Sequence, residues 1–257
     1  MCRSPTPARK ARSTDTVDRL RAAGCVFAED EAELLEADGR DLETLVQRRE
    51  AGEPLDVILG WVSFAGIRVM IDPGVFVPRQ RTAYLANQAI KRARPGDVVV
   101  DLCCGAGAIG AAVEAALPSA EVHASDIEHA AVVNARRNLA RVYEGDLFEA
   151  LPASLTGRVD ILVVNAPYVP TEEIVHMPRE ARDFEPLVTL DGGEDGVAIH
   201  RRIAAECGAW LSPTAHVLVE TSRAQAPLTA AAFESHGFTT RVKRKRGATV
   251  VVAQRPS

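Results

Sequence analysis

Val98-Val99-Val100-Asp101-Leu102-Cys103-Cys104-Gly105-Ala106-Gly107-Ala108-Ile109-Gly110 is the stretch that decides the fold of this chain. Its first three residues are β-branched and apolar, as in a buried strand. Gly105, Gly107 and Gly110 then give G-x-G-x-x-G, and the alanine-rich run from Gly107 to Leu117 reads as a helix. Strand, glycine turn and helix in this order open a doubly wound sheet, with a ligand expected at the strand's carboxyl end. Alone the motif is weak, because dinucleotide sites share it.

Alternation continues on both sides of that unit. Glu121–Ser125, Val142–Tyr143, Ile161–Val164 and His216–Glu220 read as further strands. His129–Leu139, Val197–Trp210 and Pro227–His236 read as helices between or after them, with Leu211-Ser212-Pro213 closing the second. Phe238–Val242 and Thr249–Ala253 read as two late antiparallel strands. The pattern predicts an α/β fold, a mainly parallel sheet with helices on both faces.

Three acids narrow the ligand. Asp126 closes the second strand, where a carboxylate accepts ribose hydroxyls in both NAD and S-adenosylmethionine sites. Asp101, just before the glycines, repels a pyrophosphate but suits a cationic amino group and a sulfonium. Asp146, after the third strand, is placed to accept from an adenine 6-amino group. Three carboxylates around one glycine loop favour S-adenosylmethionine over NAD, although Asp126 and Asp146 also fit ordinary helix capping. Ile127 and Leu147, next to two of these acids, Cys103 inside the turn, and Asn165 at the end of the fourth strand are counted with the cofactor site.

Asn165-Ala166-Pro167-Tyr168 follows the strand Ile161–Val164. Asn165 offers a side-chain carbonyl oxygen, and Pro167 biases Ala166 toward an extended backbone whose carbonyl is held outward. Tyr168 adds a flat wall. Two acceptors and a wall suit a planar –NH2 group, while a strand-ending Asn-x-Pro turn is the plain alternative. Beside a methyl donor the pair becomes chemically pointed. An amide or exocyclic amine is a poor nucleophile because its lone pair is delocalised. Acceptors on both N–H groups turn that lone pair free and stabilise the charge that grows on nitrogen.

Composition bounds the rest. In 257 residues, 47% are hydrophobic and 25% charged, which is ordinary for a globular chain. A net charge of −5 argues against a general nucleic-acid binder. The five cysteines include no C-x-x-C pair and the histidines lack metal-ligand spacing, so no metal and a reducing, cytoplasmic compartment are expected. No apolar stretch approaches a membrane span. Residues 1–13 read as a disordered tail, 14–60 as a small helical substrate-recognition domain, 61–80 as a linking β-hairpin and 81–257 as the catalytic domain. Five basic residues between Arg241 and Arg246 read as a solvated sheet edge rather than an RNA contact. Glu220, at the end of the fifth strand, reads as a loop cap, and His200 as a core histidine.

The chain resembles the HemK/PrmC family of protein-(glutamine-N5) methyltransferases. Asn165-Ala166-Pro167-Tyr168 is similar to the family's N-P-P-Y signature. Gly52-Glu53-Pro54-Leu55-Asp56-Val57-Ile58-Leu59-Gly60 is similar to its G-E-P-L-x-x-I-L-G segment, and Asp72–Arg79 to its D-P-x-V-L-I-P-R stretch. Asp191-Gly192-Gly193-Glu194-Asp195-Gly196 is similar to its D-G-G-x-D-G segment.

The resemblance implies a class I methyltransferase, Rossmann-like, with a seven-stranded mostly parallel sheet. It implies S-adenosyl-L-methionine as cofactor and methyl transfer to a glutamine amide of a protein, a peptide chain release factor by family habit. It also implies substrate contacts at Phe76, Arg79 and Thr82 beside Asn165 and Tyr168. A monomer without direct nucleic-acid or membrane contacts is expected. Two departures mark a divergent, actinobacterial-type branch: Ala166 replaces a proline, and Arg81 stands where the family's P-R-P-E-T-E carries an acid. Two rivals stay in play. One is a DNA or RNA amino-methyltransferase acting on adenine N6 or cytosine N4, and the other a non-catalytic cofactor-binding scaffold.

Overall fold

A computed structural model describes residues 7–178, 182, 184–245 and 247–256. The front of the chain is helical: α1 Pro7–Ala22, α2 Ala28–Ala37, α3 Leu42–Glu50 and α4 Leu55–Leu59. Helix α1 already covers part of the expected tail, whose first six positions lie outside the described residues. Pro7 suits the first turn, and Ala8, Lys10 and Ala11 are good helix formers. Asp41 caps α3 by accepting from the Thr44 backbone N–H at 3.0 Å. Leu20, Leu35, Leu45, Val46 and Ile58 form this unit's own small core. Arg19 forks between Glu43 and Glu50, and Arg49 pairs with Glu31 at 2.6 Å in a largely buried contact. Small helices gain from such ties because they bury little apolar surface alone.

A hairpin, β1 Trp61–Phe64 and β2 Ile67–Met70, links the front to the body. Its turn residues Ala65 and Gly66 have φ of 49° and 88°, the pair of positive angles a two-residue hairpin needs. The hairpin is pinned from α7, His129–Ala135, and the turn after it. Asn134, fully buried, accepts from the Asp72 N–H at 2.6 Å and donates to the Met70 carbonyl at 2.8 Å. Asn138 accepts from the Met70 N–H at 2.9 Å. The segment Asp72–Arg79 is thereby delivered to a cavity that Phe76, Pro78 and Arg79 line.

The body holds a seven-stranded sheet in the order β5-β4-β3-β6-β7-β9-β8. Its members are β3 Val98–Leu102, β4 Glu121–Asp126, β5 Val142–Glu144, β6 Val159–Val164, β7 Leu211–Thr221, β8 Thr239–Lys245 and β9 Ala248–Gln254. Strands β3 to β7 run parallel, and β9 and β8 close the sheet antiparallel. Helices α5 Ala83–Ile90, α6 Ala108–Ala116 and α7 pack with the hairpin on one face, in a cluster that includes Leu85, Val113 and Val132. The other face takes α8 Ala198–Glu206 and α9 Ala226–Glu234 around Ile203, Phe233 and Phe148. Strands β3 and β6 are buried throughout except Asp160, which explains their near-continuous apolar runs.

Strand β7 differs from its sequence reading. It starts at Leu211, not His216, and includes Pro213. Its register to β6 jumps between Val159↔Leu211 and Ile161↔His216. The irregularity lets a residue without an N–H sit inside a strand that a proline rule would end. At the far edge, β8 is exposed along most of its length, with Arg241, Lys243, Arg244 and Lys245 on it. Such charges block edge pairing, and Arg246 lies outside the described residues.

Candidate active site

The order of strands reverses at β3 and β6, and a cleft opens at their carboxyl ends, where such sheets collect ligands. Cys103, Gly105, Asp126, Ile127, Asp146 and Leu147 line one side; Asn165, Ala166, Pro167 and Tyr168 line the other; Phe76, Arg79 and Thr82 stand near the hairpin end. Residues read from scattered motifs therefore meet in one cavity.

Asp126 is tied down on the first side. Its Oδ2 accepts from the Gly105 N–H at 2.8 Å and its Oδ1 from the Glu128 N–H at 3.0 Å. Burial pushes its carboxyl above the usual range, partly opposed by these backbone donors. Cys103 and Leu147 have φ of 57° and 47°, a left-handed backbone rare for such residues, and both face the cleft. Burial pushes the Cys103 thiol well up, which makes it a filler and not a nucleophile. Asp146 carries a partner that the motif did not announce: Arg202 of α8 grips it with both terminal guanidinium nitrogens, at 2.8 and 3.2 Å, and also lines the cleft.

Three expected cofactor residues do not reach the cavity wall. Asp101 is fully buried, and its Oδ2 accepts from the Gly110 N–H at 2.8 Å. Among the described residues its Oδ1 has no hydrogen-bond partner. Burial, with Asp126 nearby, pushes this carboxyl up to about 8. Gly110 serves packing: a Cβ there would stand 2.9 Å from Leu139 and 3.3 Å from Asp101. Gly107 opens α6 in the left-handed conformation, with φ of 76°. These residues shape the loop from behind, because the helix must pass close over the strand.

On the second side, Asn165 follows β6 directly. Among the described residues no hydrogen bond is made to its side-chain amide or to the Ala166 carbonyl. Tyr168 is held from several directions. Its carbonyl accepts from Gln225 Nε2 at 2.7 Å, and its hydroxyl accepts from Arg81 Nη2 at 2.9 Å. Behind it runs the Asp191–Gly196 loop, where Gly192 N–H bonds the Val169 carbonyl at 2.8 Å. A Cβ on Gly196 would lie 2.4 Å from the Tyr168 carbonyl oxygen, so only glycine allows this approach. Arg79 is spoken for: its Nη2 bonds Glu185 at 2.7 Å and its guanidinium lies 4.8 Å from the Phe76 ring centre. Sequence reading missed Arg202, Gln225 and Glu185, since each meets its partner across a gap no local pattern reveals.

The fold and this cleft define a class I methyltransferase. The Methyltransferase small domain family matches residues 66–180. The release factor glutamine methyltransferase of Geobacter sulfurreducens is 35% identical over 200 residues, 76% of this chain and 69% of that protein. A 4-amino-L-phenylalanine/4-methylamino-L-phenylalanine methyltransferase of Streptomyces pristinaespiralis is 33% identical over 203 residues, 75% of this chain and 69% of its own length. A methyltransferase crystal structure from Pyrococcus furiosus superposes with a TM-score of 0.57 at 14% identity, covering 75% of this chain and 90% of that one. That likeness concerns the fold alone. The chain belongs to the release factor glutamine methyltransferase family.

Proposed function

We propose that this protein methylates the side-chain amide nitrogen of a glutamine in a peptide chain release factor, using S-adenosyl-L-methionine. The observation that carries the reading is that Asn165 and Ala166, whose side-chain and backbone carbonyl oxygens accept no hydrogen bond among the described residues, line a cleft whose opposite side is acidic. The cofactor supplies an electrophilic methyl group on a sulfonium. Asp126 fits its ribose hydroxyls, and small or apolar Cys103, Gly105, Ile127 and Leu147 fit its flat base and the carbon chain beside the sulfonium. Arg202, a cation on this side, is paired with Asp146 and so is not free to hold a pyrophosphate. Asp101 and the glycines Gly107 and Gly110 support the loop rather than touch the ligand.

The acceptor amide donates one N–H to Asn165 and one to Ala166. Both oxygens carry partial negative charge and are fixed before substrate arrives, so positive charge on nitrogen is met without reorganisation. The amide proton becomes acidic once nitrogen is alkylated, so no strong base is needed beforehand. Ala166 is buried and its carbonyl needs only an extended backbone, which Pro167 enforces without a second proline.

A second reading is methylation of a small free aryl amine. The Streptomyces pristinaespiralis relative supports it, as does Arg81 at the cavity wall, whose Nη1 has no partner among the described residues and suits a free carboxylate. One survey separates these readings and the older rivals. The protein is incubated with methyl-labelled S-adenosylmethionine and, separately, release factors, ribosomal proteins, 4-amino-L-phenylalanine, DNA and RNA. Label at a release-factor glutamine is expected. Label only on the free amine transfers the assignment to the second reading, and label only on nucleic acid overturns both.

A further inference from the structure

Three parts of the chain far apart in sequence meet behind the acceptor wall. Tyr168 donates its hydroxyl toward Glu220 Oε1 at 3.5 Å while accepting from Arg81 Nη2 at 2.9 Å. The same carboxylate oxygen accepts from Thr82 Oγ1 at 3.0 Å and lies 3.5 Å from Arg81 Nε. The second oxygen, Oε2, is buried without a hydrogen-bond partner among the described residues. Glu220 follows Val219, which pairs with Val164 across β6 and β7, so it stands in the row of Asn165.

Loop capping does not account for this glutamate, because it accepts no backbone N–H among the described residues. Packing does not account for it either. The side chain is 2% exposed, and a carboxylate taken that far out of water is costly without a close counter-ion. Arg81 is that counter-ion, yet its own side chain is 49% exposed and lines the cleft. An apolar residue would serve stability better. What the arrangement does achieve is a fixed Tyr168: the guanidinium forks between hydroxyl and carboxylate, and the carboxylate is itself held by Thr82. The ring next to the nitrogen pocket is then locked at its far end, while Gln225 holds the same residue's carbonyl at the near end.

We infer that Arg81 and Glu220 are positioning residues for methyl transfer, acting through the Tyr168 hydroxyl to set the ring that walls the acceptor nitrogen. The inference rests on the reading that this nitrogen binds between Asn165 and Ala166. It separates the two substrates: the clamp touches nothing on the donor side, so acceptor kinetics depend on it and donor affinity does not. Arg81 thereby acquires a role of its own at the position where the family motif carries an acid.

The test is a set of double-mutant cycles on the full chain, with Arg81→Gln, Glu220→Gln and Tyr168→Phe singly and in pairs. The acceptor is whichever compound the wild-type protein labels in the survey above, so a wrong substrate and a wrong clamp fail separately. Each single change is expected to lower kcat/KM for the acceptor about tenfold, as a misplacement of an ångström or less does. The dissociation constant for S-adenosylmethionine, by calorimetry, stays at the wild-type value. In the Tyr168→Phe background, Arg81→Gln causes little further loss, because the hydroxyl through which it acts is gone. Losses that simply multiply, or a change in donor affinity without one in acceptor kinetics, overturn the inference. Arg81→Gln and Tyr168→Phe keep the cycle decisive if Glu220→Gln lowers the melting temperature too far for assay.

Discussion

The two sides of the cleft are built on opposite principles. On the side of β3, β4 and β5 the polar groups have protein partners: Asp126 holds Gly105 and Glu128, and Asp146 holds Arg202. On the side of β6 the oxygens proposed to hold the amide have no partner among the described residues, and the fastening lies behind them, on the Tyr168 carbonyl and hydroxyl. The first side is a preformed bed whose carboxylates keep spare lone pairs. The second is a pair of bare acceptors on a braced support. A bed suits a ligand that must bind the same way every cycle. Bare acceptors suit a group whose charge changes during the reaction, because their interaction is strongest when that charge is largest.

The division can be broken most sharply at Asn165. Asn165→Ala is expected to lower kcat roughly 100-fold or more, as loss of one preorganised partner does, with S-adenosylmethionine affinity unchanged by calorimetry. Turnover near the wild-type rate would show that the β6 side is not where the amide is held. Asp126→Ala probes the other side. Loss of a charged acceptor to two backbone N–H groups and to the donor is worth about 10 to 100-fold in donor dissociation constant, while kcat at saturating donor stays close to wild type. A fall in kcat at saturation would mean that the two sides are not independent.

The last test reads stability and not kinetics and concerns Asp101, which belongs to the bed without touching its surface. Its carboxyl is raised from 3.8 to about 8 in the folded protein. Between those values the native state holds a proton that the unfolded chain has lost. The stabilisation is therefore complete at low pH and lost as pH rises through about 8. Urea melts of the wild type should show stability falling across that window by at most about 1.4 kcal/mol per pH unit. Asp101→Asn keeps an acceptor for the Gly110 N–H and should remove this contribution. An unchanged pH dependence in the variant would place the titration elsewhere.

Periodicity and motif spacing carried much of this architecture. Apolar runs at β3 and β6, glycines at the first turn and acids at strand ends are local signals, and each landed on the element expected of it. The errors have physical causes. Pro213 looked like a helix terminator because the bulge that admits it depends on pairing with Val159 and Ile161. Asp101 is a different case: position in sequence does not say which way a carboxylate faces, and its Oδ2 here turns to the Gly110 N–H. Glu220 looked like a cap because its partners, Thr82, Arg81 and Tyr168, lie far away along the chain.

The sequence by itself determined the alternating sheet, the glycine turn, the carboxylates at Asp126 and Asp146, and the acceptor tetrapeptide Asn165–Tyr168, because each follows from residue type and spacing within one element. Only the tertiary structure decided which of those groups reach the cleft and what braces them. Arg202 on Asp146, Gln225 on Tyr168, and Arg81 with Glu220 behind the same tyrosine are contacts between distant segments. Their existence depends on how two layers of helices close over a twisted sheet, and no local pattern encodes that.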